Sequence, residues 1–228
     1  LSEANDVQLN RFRTPPGMAK QPSKAAARSV GPGKPVIGPE RRKSDKASDA
    51  PEKFERYQQA CTHYESGKYQ RTIDILGPIL SDAGGAGAFL MLPESMTLMA
   101  RAHANLGDLK SAEYWCKSAI ATEKLNPEFY YLLAAIYQAD SRMAEAIKAV
   151  RQVLYLDPAF IMGHFTLGIL MRRAQKPDEA IKPFENALRL LEPMKSDHLV
   201  AHSEGLSAGH LRQTIYSLMP HRKTANGR

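Results

Sequence analysis

The chain has 228 residues, of which 43% are hydrophobic, so it can bury a sizeable core within one or two domains. No apolar stretch reaches the ~20 residues that a membrane-spanning helix requires, and the N-terminus has no secretory signal. The two cysteines, Cys61 and Cys116, imply neither a disulfide framework nor a metal site. We therefore expect a cytoplasmic protein without a membrane span, and the start at Leu1 suggests a piece of a longer chain.

The net charge of +7 lies in the two ends of the chain. Residues 1–50 contain ten Lys or Arg against five Asp or Glu, and residues 220–228 contain three Lys or Arg and no acidic residue. The segment 51–219 contains eighteen Lys or Arg against nineteen Asp or Glu. Because a nucleic-acid-binding module carries its basic patch on the folded part, this distribution argues against nucleic acid as a partner.

Residues 1–52 are predicted to form a disordered, proline-rich basic linker. Six prolines between residues 15 and 39 interrupt any helix, and the segment has too few apolar residues to offset the entropy of ordering it. Arg41, Arg42 and Lys43 form a basic cluster within it. This cluster is either part of a solvated tether or a docking point.

From residue 53 onward the apolar residues follow helical periodicity, and four sets of positions recur every 34 residues. Small residues in two of the sets, those that begin with Ala100 and Ala112, allow two helices to approach closely. The sets are Ala112, Ala146 and Ala180; Ala119, Val153 and Ala187; Ala100, Ala134 and Gly168; and Met99, Leu133 and Leu167. Four registers with one period predict an all-α solenoid of helix–turn–helix repeats over 53–193.

The four predicted repeats span 53–92, 93–126, 127–160 and 161–194. Asn126 is expected to cap the helix that begins at Pro127. An insertion at 82–87 is predicted to be a flexible loop, and the 82–92 segment either covers the first repeat or offers an alternative partner site. A helix over 207–219 is expected to cap the last repeat, with Ser207 as N-cap, before a basic tail at 220–228.

The third and fourth repeats resemble tetratricopeptide repeats. The family's pattern is matched by Tyr130, Leu133, Ala134, Tyr137, Ala146 and Pro158, and then by Leu167, Gly168, Ala180, Phe184 and Ala187. The resemblance implies a stack that binds a protein or peptide in its concave groove. The family's groove positions, carried over to this chain, include eight residues expected to bind the partner: Tyr57, Thr97, Arg101, Tyr131, Gln138, Phe165, Ile169 and Arg172. Their aromatic and cationic character predicts a partner segment with acidic character. Cys61 and Ala135 are further positions of the same row.

A second resemblance rests on one short segment. Residues 203–211 are similar to a stretch near the C-termini of CheR-type chemotaxis methyltransferases that carry a tetratricopeptide extension. This implies a parent protein with a SAM-dependent glutamate methyltransferase domain in bacterial chemosensory signalling. The partner would then be that domain or a chemoreceptor-pathway protein. The alternatives are a generic scaffold or assembly adaptor unrelated to chemotaxis, and self-association through exposed repeat ends.

Neither a catalytic constellation nor a metal site is expected, and no cofactor is expected in this chain. Residues 84–87 lack the strand and the Lys-Ser/Thr pair of a phosphate-binding loop. His198 and His202 are four residues apart, which could place both on one helix face, but no third ligand accompanies them. We expect structural or surface histidines here and expect Asp197 and Glu204 to be ordinary surface residues. The sequence therefore predicts a non-enzymatic interaction module.

Overall fold

The computed structural model describes residues 49–81 and 92–219. The predictions for most of the linker, for the 82–91 segment and for the 220–228 tail lie outside these residues. The described residues form nine helices and no strand, apart from one isolated bridge between Leu199 and Ser207. The helices are α1 (Asp49–Glu65), α2 (Tyr69–Ser81), α3 (Leu92–Asn105), α4 (Leu109–Thr122), α5 (Pro127–Ala139), α6 (Met143–Leu156), α7 (Ile161–Arg173), α8 (Pro177–Leu191) and α9 (Ala208–Leu218).

Consecutive helices pack in pairs, and each pair packs on the next. Helix α1 packs on α2, α3 on α4, α5 on α6 and α7 on α8, while α2, α4 and α6 each also contact the first helix of the following pair. This arrangement confirms the predicted all-α helical solenoid. No helix in the described ranges is long and apolar enough to cross a membrane.

Side chains at the helix starts satisfy the amide groups that have no partner within a helix. Asn126 accepts a hydrogen bond from the Glu128 amide, with Pro127 in the first helical position, and Ser207 accepts one from the His210 amide. Both predicted N-caps are thereby confirmed. Gly107 supplies the positive φ of 81° in the turn between α3 and α4.

Small residues at the closest helix approaches set the spacing within each pair. Ala100 and Ala134 have no exposed surface, and Gly168 is buried at the equivalent position of α7. A Cβ atom added to Gly168 would come within 2.6 Å of Cδ1 of Phe184 in α8. Small side chains therefore recur every 34 residues at the positions where the two helices of a pair approach most closely.

The sequence predicted the start of the last helix more accurately than the start of the first. Helix α1 begins at Asp49, four residues before the predicted boundary, because Pro51 falls in the first turn, where a missing amide costs no hydrogen bond. Helix α9 begins directly after Ser207, as expected. Leu211 and Ile215 of α9 are fully buried and join the core of the last helix pair, so α9 covers the end of the stack.

Candidate partner-binding groove

Five of the eight residues predicted to bind a partner line one cavity between α3, α5 and α7. These residues are Arg101, Tyr131, Gln138, Phe165 and Ile169. They come from the first helix of three successive pairs, so the stacking of the pairs brings the five side chains to one surface. We call this surface, with the cavity it encloses, the groove. Ala135, the neighbouring groove position carried over from the family, lines it as well.

The other three predicted residues lie outside the cavity. Tyr57 is half-buried in the core of the first helix pair, and its burial raises the pKa of its phenol. Thr97 is half-buried, and its hydroxyl donates to the Glu94 carbonyl oxygen of its own helix at 2.9 Å. Arg172 is exposed in the last turn of α7. The groove therefore takes most of its surface from the middle and the end of the stack.

A segment that precedes α9 forms the opposite wall of the cavity. His202, Ser203, Glu204 and Leu206 line the cavity together with the helix residues. We call residues 198–206 the C-terminal loop. His198 and His202 do not share a helix face, because this segment is not helical. Glu204 is exposed, as expected of a surface residue, and it also lines the cavity.

Backbone hydrogen bonds and positive φ angles shape the C-terminal loop. The Val200 amide donates to the Leu206 carbonyl oxygen at 3.0 Å, which closes the loop at its base. The buried Ser203 hydroxyl donates to the carbonyl oxygens of Val200 at 2.7 Å and Leu206 at 3.0 Å. His202, Glu204 and Gly205 have φ angles of 59°, 57° and 93°. These left-handed residues turn the tip of the loop sharply, and only Gly205 adopts such a conformation without steric cost.

The imidazole of His202 is the main contact of the loop with the helices. It stacks on Phe160 with ring centroids 4.8 Å apart, and it meets the Tyr131 ring edge-on at 6.5 Å. Its Nε2 lies 3.7 Å from Oε1 of Glu128. Burial lowers the pKa of His202, and the positive charge of Arg101 adds to this, whereas Glu128 and Asp157 act in the opposite direction. The charge-neutral imidazole therefore suits this site best.

Opposite charges meet around the N-terminal end of the groove. Arg101 and Glu204 both line the cavity, and the charges of both reach the hydroxyl of Tyr64. Burial raises the pKa of Tyr64, Arg101 opposes this rise and Glu204 adds to it. The loop thus brings a carboxylate into the same neighbourhood as the guanidinium of the groove.

One polar atom of the groove has no hydrogen-bond partner among the protein atoms. Oε1 of Gln138 is buried, yet no donor lies within reach. A buried carbonyl oxygen without a donor costs about 1–3 kcal/mol, so the site favours a molecule that supplies an N–H or O–H group. Tyr131, two turns away on α5, already pairs its hydroxyl with Thr166 at 3.3 Å.

The residues around the groove do not provide a centre for metal chemistry. No group of three or more His, Cys, Asp or Glu side chains that could hold a metal ion occurs within 49–81 and 92–219. Of the two thiols, Cys61 is half-buried and Cys116 is fully buried. Burial raises the pKa of both thiols, to about 12 for Cys116, so neither is activated as a nucleophile.

The comparisons with known proteins agree with the repeat geometry. Residues 127–160, which comprise α5, α6 and the turn after them, match the family model described as tetratricopeptide repeat. One helix pair of the chain, α5 with α6, therefore has the sequence of a tetratricopeptide repeat. No curated protein sequence matches the chain. The resemblance of residues 203–211 to CheR-type methyltransferases has no counterpart in the family match or in the structures described next.

Solved structures resemble the tetratricopeptide stack at low sequence identity. A crystal structure of MamA matches with a TM-score of 0.56 and 21% identity, covering 65% of this chain and 82% of that one. MamA 41-end from Desulfovibrio magneticus RS-1 matches with the same TM-score and identity, covering 63% and 78%. Another MamA crystal structure matches at 0.54 and 16%, covering 73% and 87%. At these identities the similarity establishes the fold alone.

The sequence predicted the helix side of the groove but not the loop side. The resemblance to the tetratricopeptide family gave the first-helix positions, and the 34-residue period set their register in this chain. The C-terminal loop belongs to no repeat and therefore has no periodic signal. The available signal was its length and composition: Pro193 and Gly205 interrupt a stretch of sixteen residues between α8 and α9, far longer than the turns elsewhere in the stack.

Proposed function

We propose that this chain is a non-catalytic interaction module whose groove binds an acidic segment of another protein. The observation that carries the proposal is the alignment of Arg101 with the rings of Tyr131 and Phe165 along one cavity. Such a module fits the generic scaffold or adaptor hypothesis, which requires no enzyme and no cofactor in the chain.

The chemistry of the groove supports a peptide partner. Tyr and Arg are among the residue types that contribute most to binding energy at protein interfaces. A guanidinium forms strong, charge-assisted hydrogen bonds with a carboxylate, which favours Asp or Glu in the bound segment. The partnerless Oε1 of Gln138 adds an acceptor that a peptide amide can satisfy.

The size of the cavity argues against a small-molecule site. Its volume is about 110 Å³. Pockets for small molecules and cofactors usually enclose roughly 300–1,000 Å³. A cavity of this size accommodates one side chain of a larger partner, which is the way a groove anchors a segment that runs along its surface.

A selection experiment tests the proposal. A display library of random twelve-residue peptides is selected against the immobilised full chain, and enriched peptides are synthesised and measured by fluorescence anisotropy. We expect enrichment of Asp and Glu together with an apolar residue, and at least tenfold weaker binding to Arg101→Glu. The control is Arg151→Glu, which makes the same charge change at an exposed position of α6 outside the cavity.

Two outcomes would refute the groove as the site. One is a set of enriched peptides without acidic residues. The other is an equal loss of affinity in Arg101→Glu and Arg151→Glu, which would indicate a general charge effect. Far-UV circular dichroism of both variants establishes that the helices remain folded.

The second candidate places the module in bacterial chemosensory signalling, as the C-terminal part of a CheR-type methyltransferase. Residues 203–211 support it, because this short segment resembles such proteins and includes both the tip of the C-terminal loop and the start of α9. A SAM-binding methyltransferase domain encoded directly upstream of Leu1 would favour this candidate. A start codon at that place would favour the generic scaffold.

A further inference from the structure

The chain's own C-terminal loop lines one side of the groove. The cavity between the loop and the helices measures about 110 Å³, which is room for one side chain and not for a peptide. His202, Ser203, Glu204 and Leu206 occupy the side of the groove that faces α3, α5 and α7. A segment that runs along these helices therefore has to take the place of the loop.

We propose that the C-terminal loop is a built-in occupant of the groove, and that an acidic segment of a partner protein binds by displacing it. This inference rests on the proposed function, because it specifies how the same groove is regulated. The loop acts as an internal competitor, so the free chain binds its partner more weakly than the groove alone would.

The loop presents the features expected of a bound ligand. The imidazole of His202 stacks on Phe160 and contacts the ring of Tyr131 edge-on. The carboxylate of Glu204, two residues later in the loop, lines the same cavity as His202. The positive charge of Arg101 lowers the pKa of His202. The side chains of Arg101 and Glu204 line the same cavity. A partner segment with an aromatic or apolar side chain two residues before a Glu or Asp would offer the groove the same two groups.

The tip of the loop can leave the groove without unfolding the cap. The base of the loop is held by α8 and α9: the Ala208 amide donates to the His198 carbonyl oxygen at 2.8 Å, and the Gly209 amide donates to the Ser196 carbonyl oxygen at 2.9 Å. Arg212 of α9 donates to the carbonyl oxygen of Leu191 at 2.9 Å. These bonds lie outside the groove, so they can persist when the tip moves.

The hydrogen bonds of the Ser203 hydroxyl stay within the loop, because it bonds to the carbonyl oxygens of Val200 and Leu206. Val200 is buried in the core of the last helix pair and stays there. The tip can pivot at Val200, exchanging the ring stack on Phe160 and the electrostatic contacts of His202 and Glu204 for water. This separation of base and tip is what a displaceable occupant requires.

Two double variants isolate the role of the tip. The open variant, His202→Ala with Glu204→Gln, removes the ring and the charge that face the groove but keeps Val200, Ser203 and Gly205. The control variant, His198→Ala with Asp197→Asn, makes the same two chemical changes at exposed positions that do not line the cavity. Circular dichroism and thermal unfolding establish that both variants keep the helical stack.

The first test uses the loop sequence as a separate molecule. A synthetic peptide of residues 198–207 is titrated, up to millimolar concentration, into the wild-type chain and both variants while amide chemical shifts are recorded by NMR. We expect saturable shifts at Gln138 and Ile169 in the open variant, with about tenfold weaker binding to the wild type and the control. A tenfold difference corresponds to a loop that occupies the groove about nine-tenths of the time. Equal affinities in the three proteins, or no binding to the open variant, would overturn the inference.

The second test separates this inference from the proposed function. The acidic peptides selected against the full chain are measured against the same three proteins, and we expect about tenfold tighter binding to the open variant. Acidic peptides that bind all three proteins equally would overturn the loop as a competitor and leave the groove as a binding site. A third outcome is a selection that yields no acidic peptides while the loop peptide binds the open variant. That result would support the loop as an occupant of the groove and refute the acidic partner of the proposed function.

Discussion

The imidazole of His202 lies flat on the ring of Phe160, with the two planes 19° apart and the centroids separated by 4.8 Å. Phe160 precedes α7 in the last repeat, whereas His202 belongs to the loop before the capping helix. This stack joins a segment outside the repeats to the surface that the repeats build. It therefore links the end of the chain to the groove.

The protonation of His202 should depend on this stack. Because burial lowers its pKa, we expect an NMR titration of the imidazole to give a value below about 6.5, the value for an unperturbed histidine. Glu128 raises this pKa, so Glu128→Gln should lower it further. A His202 value at or above about 6.5, the value for an unperturbed histidine, would contradict the burial of this imidazole.

The same shift sets the sign of a pH effect on stability. With a lowered pKa the folded state binds fewer protons than the unfolded state, so the free energy of unfolding rises with pH between the folded-state pKa and about 6.5. Below the folded-state pKa, the free energy of unfolding has fallen by the whole contribution of His202. Urea unfolding of the wild type and His202→Ala at several pH values between about 5 and 7.5 measures the effect. The pH slope should be smaller in His202→Ala.

Gly168 should not tolerate a methyl group. Gly168→Ala places a Cβ against the buried Phe184 ring, and overpacking of this kind costs about 1–3 kcal/mol. Gly77→Ala is the matched control, since a Cβ at that helical position meets no atom within 4 Å and alanine favours a helix by up to ~1 kcal/mol. Urea denaturation should show opposite signs for the two variants. A neutral Gly168→Ala would mean that α7 and α8 are less closely packed.

Ser203 should be needed for the shape of the C-terminal loop. Ser203→Ala removes the hydroxyl that binds the carbonyl oxygens of Val200 and Leu206 in a buried position, while backbone amides still donate to both oxygens, so we expect a loss of about 0.5–1.5 kcal/mol in the free energy of unfolding. Ser217→Ala, at an exposed site of α9 whose hydroxyl bonds within its own helix, should change stability little. Equal effects of the two substitutions would show that the Ser203 bonds are replaced by water.

Cys116 should resist thiol reagents in the folded chain. Its side chain is fully buried, its Sγ lies 3.3 Å from the Phe129 carbonyl oxygen, and burial raises its pKa to about 12. At pH 8 a maleimide or a disulfide reagent should modify it only after denaturant is added. Mass spectrometry of the modified peptide identifies the site. Rapid modification of Cys116 in native buffer would indicate that α4 and α5 separate readily.

The sequence by itself determined the solenoid. A period of 34 residues with small side chains in fixed registers leaves one way to bury the apolar faces, which is a stack of paired helices, and local signals such as Asn126 before Pro127 and Ser207 before α9 located helix starts. The groove side chains of α3, α5 and α7 came from the family resemblance, in the register that this period sets. These features depend on residues close together in the chain, so the sequence carries them.

Only the tertiary structure decided what faces those side chains across the groove. His202 contacts Phe160, forty-two positions earlier, and Glu204 shares a cavity with Arg101, more than a hundred positions earlier. The loop has no period and no helical pattern, and its course depends on positive φ angles at His202 and Glu204, a conformation that residues other than glycine rarely adopt. Long-range packing selects that course, and the loop's place in the groove emerges only once the repeats have stacked.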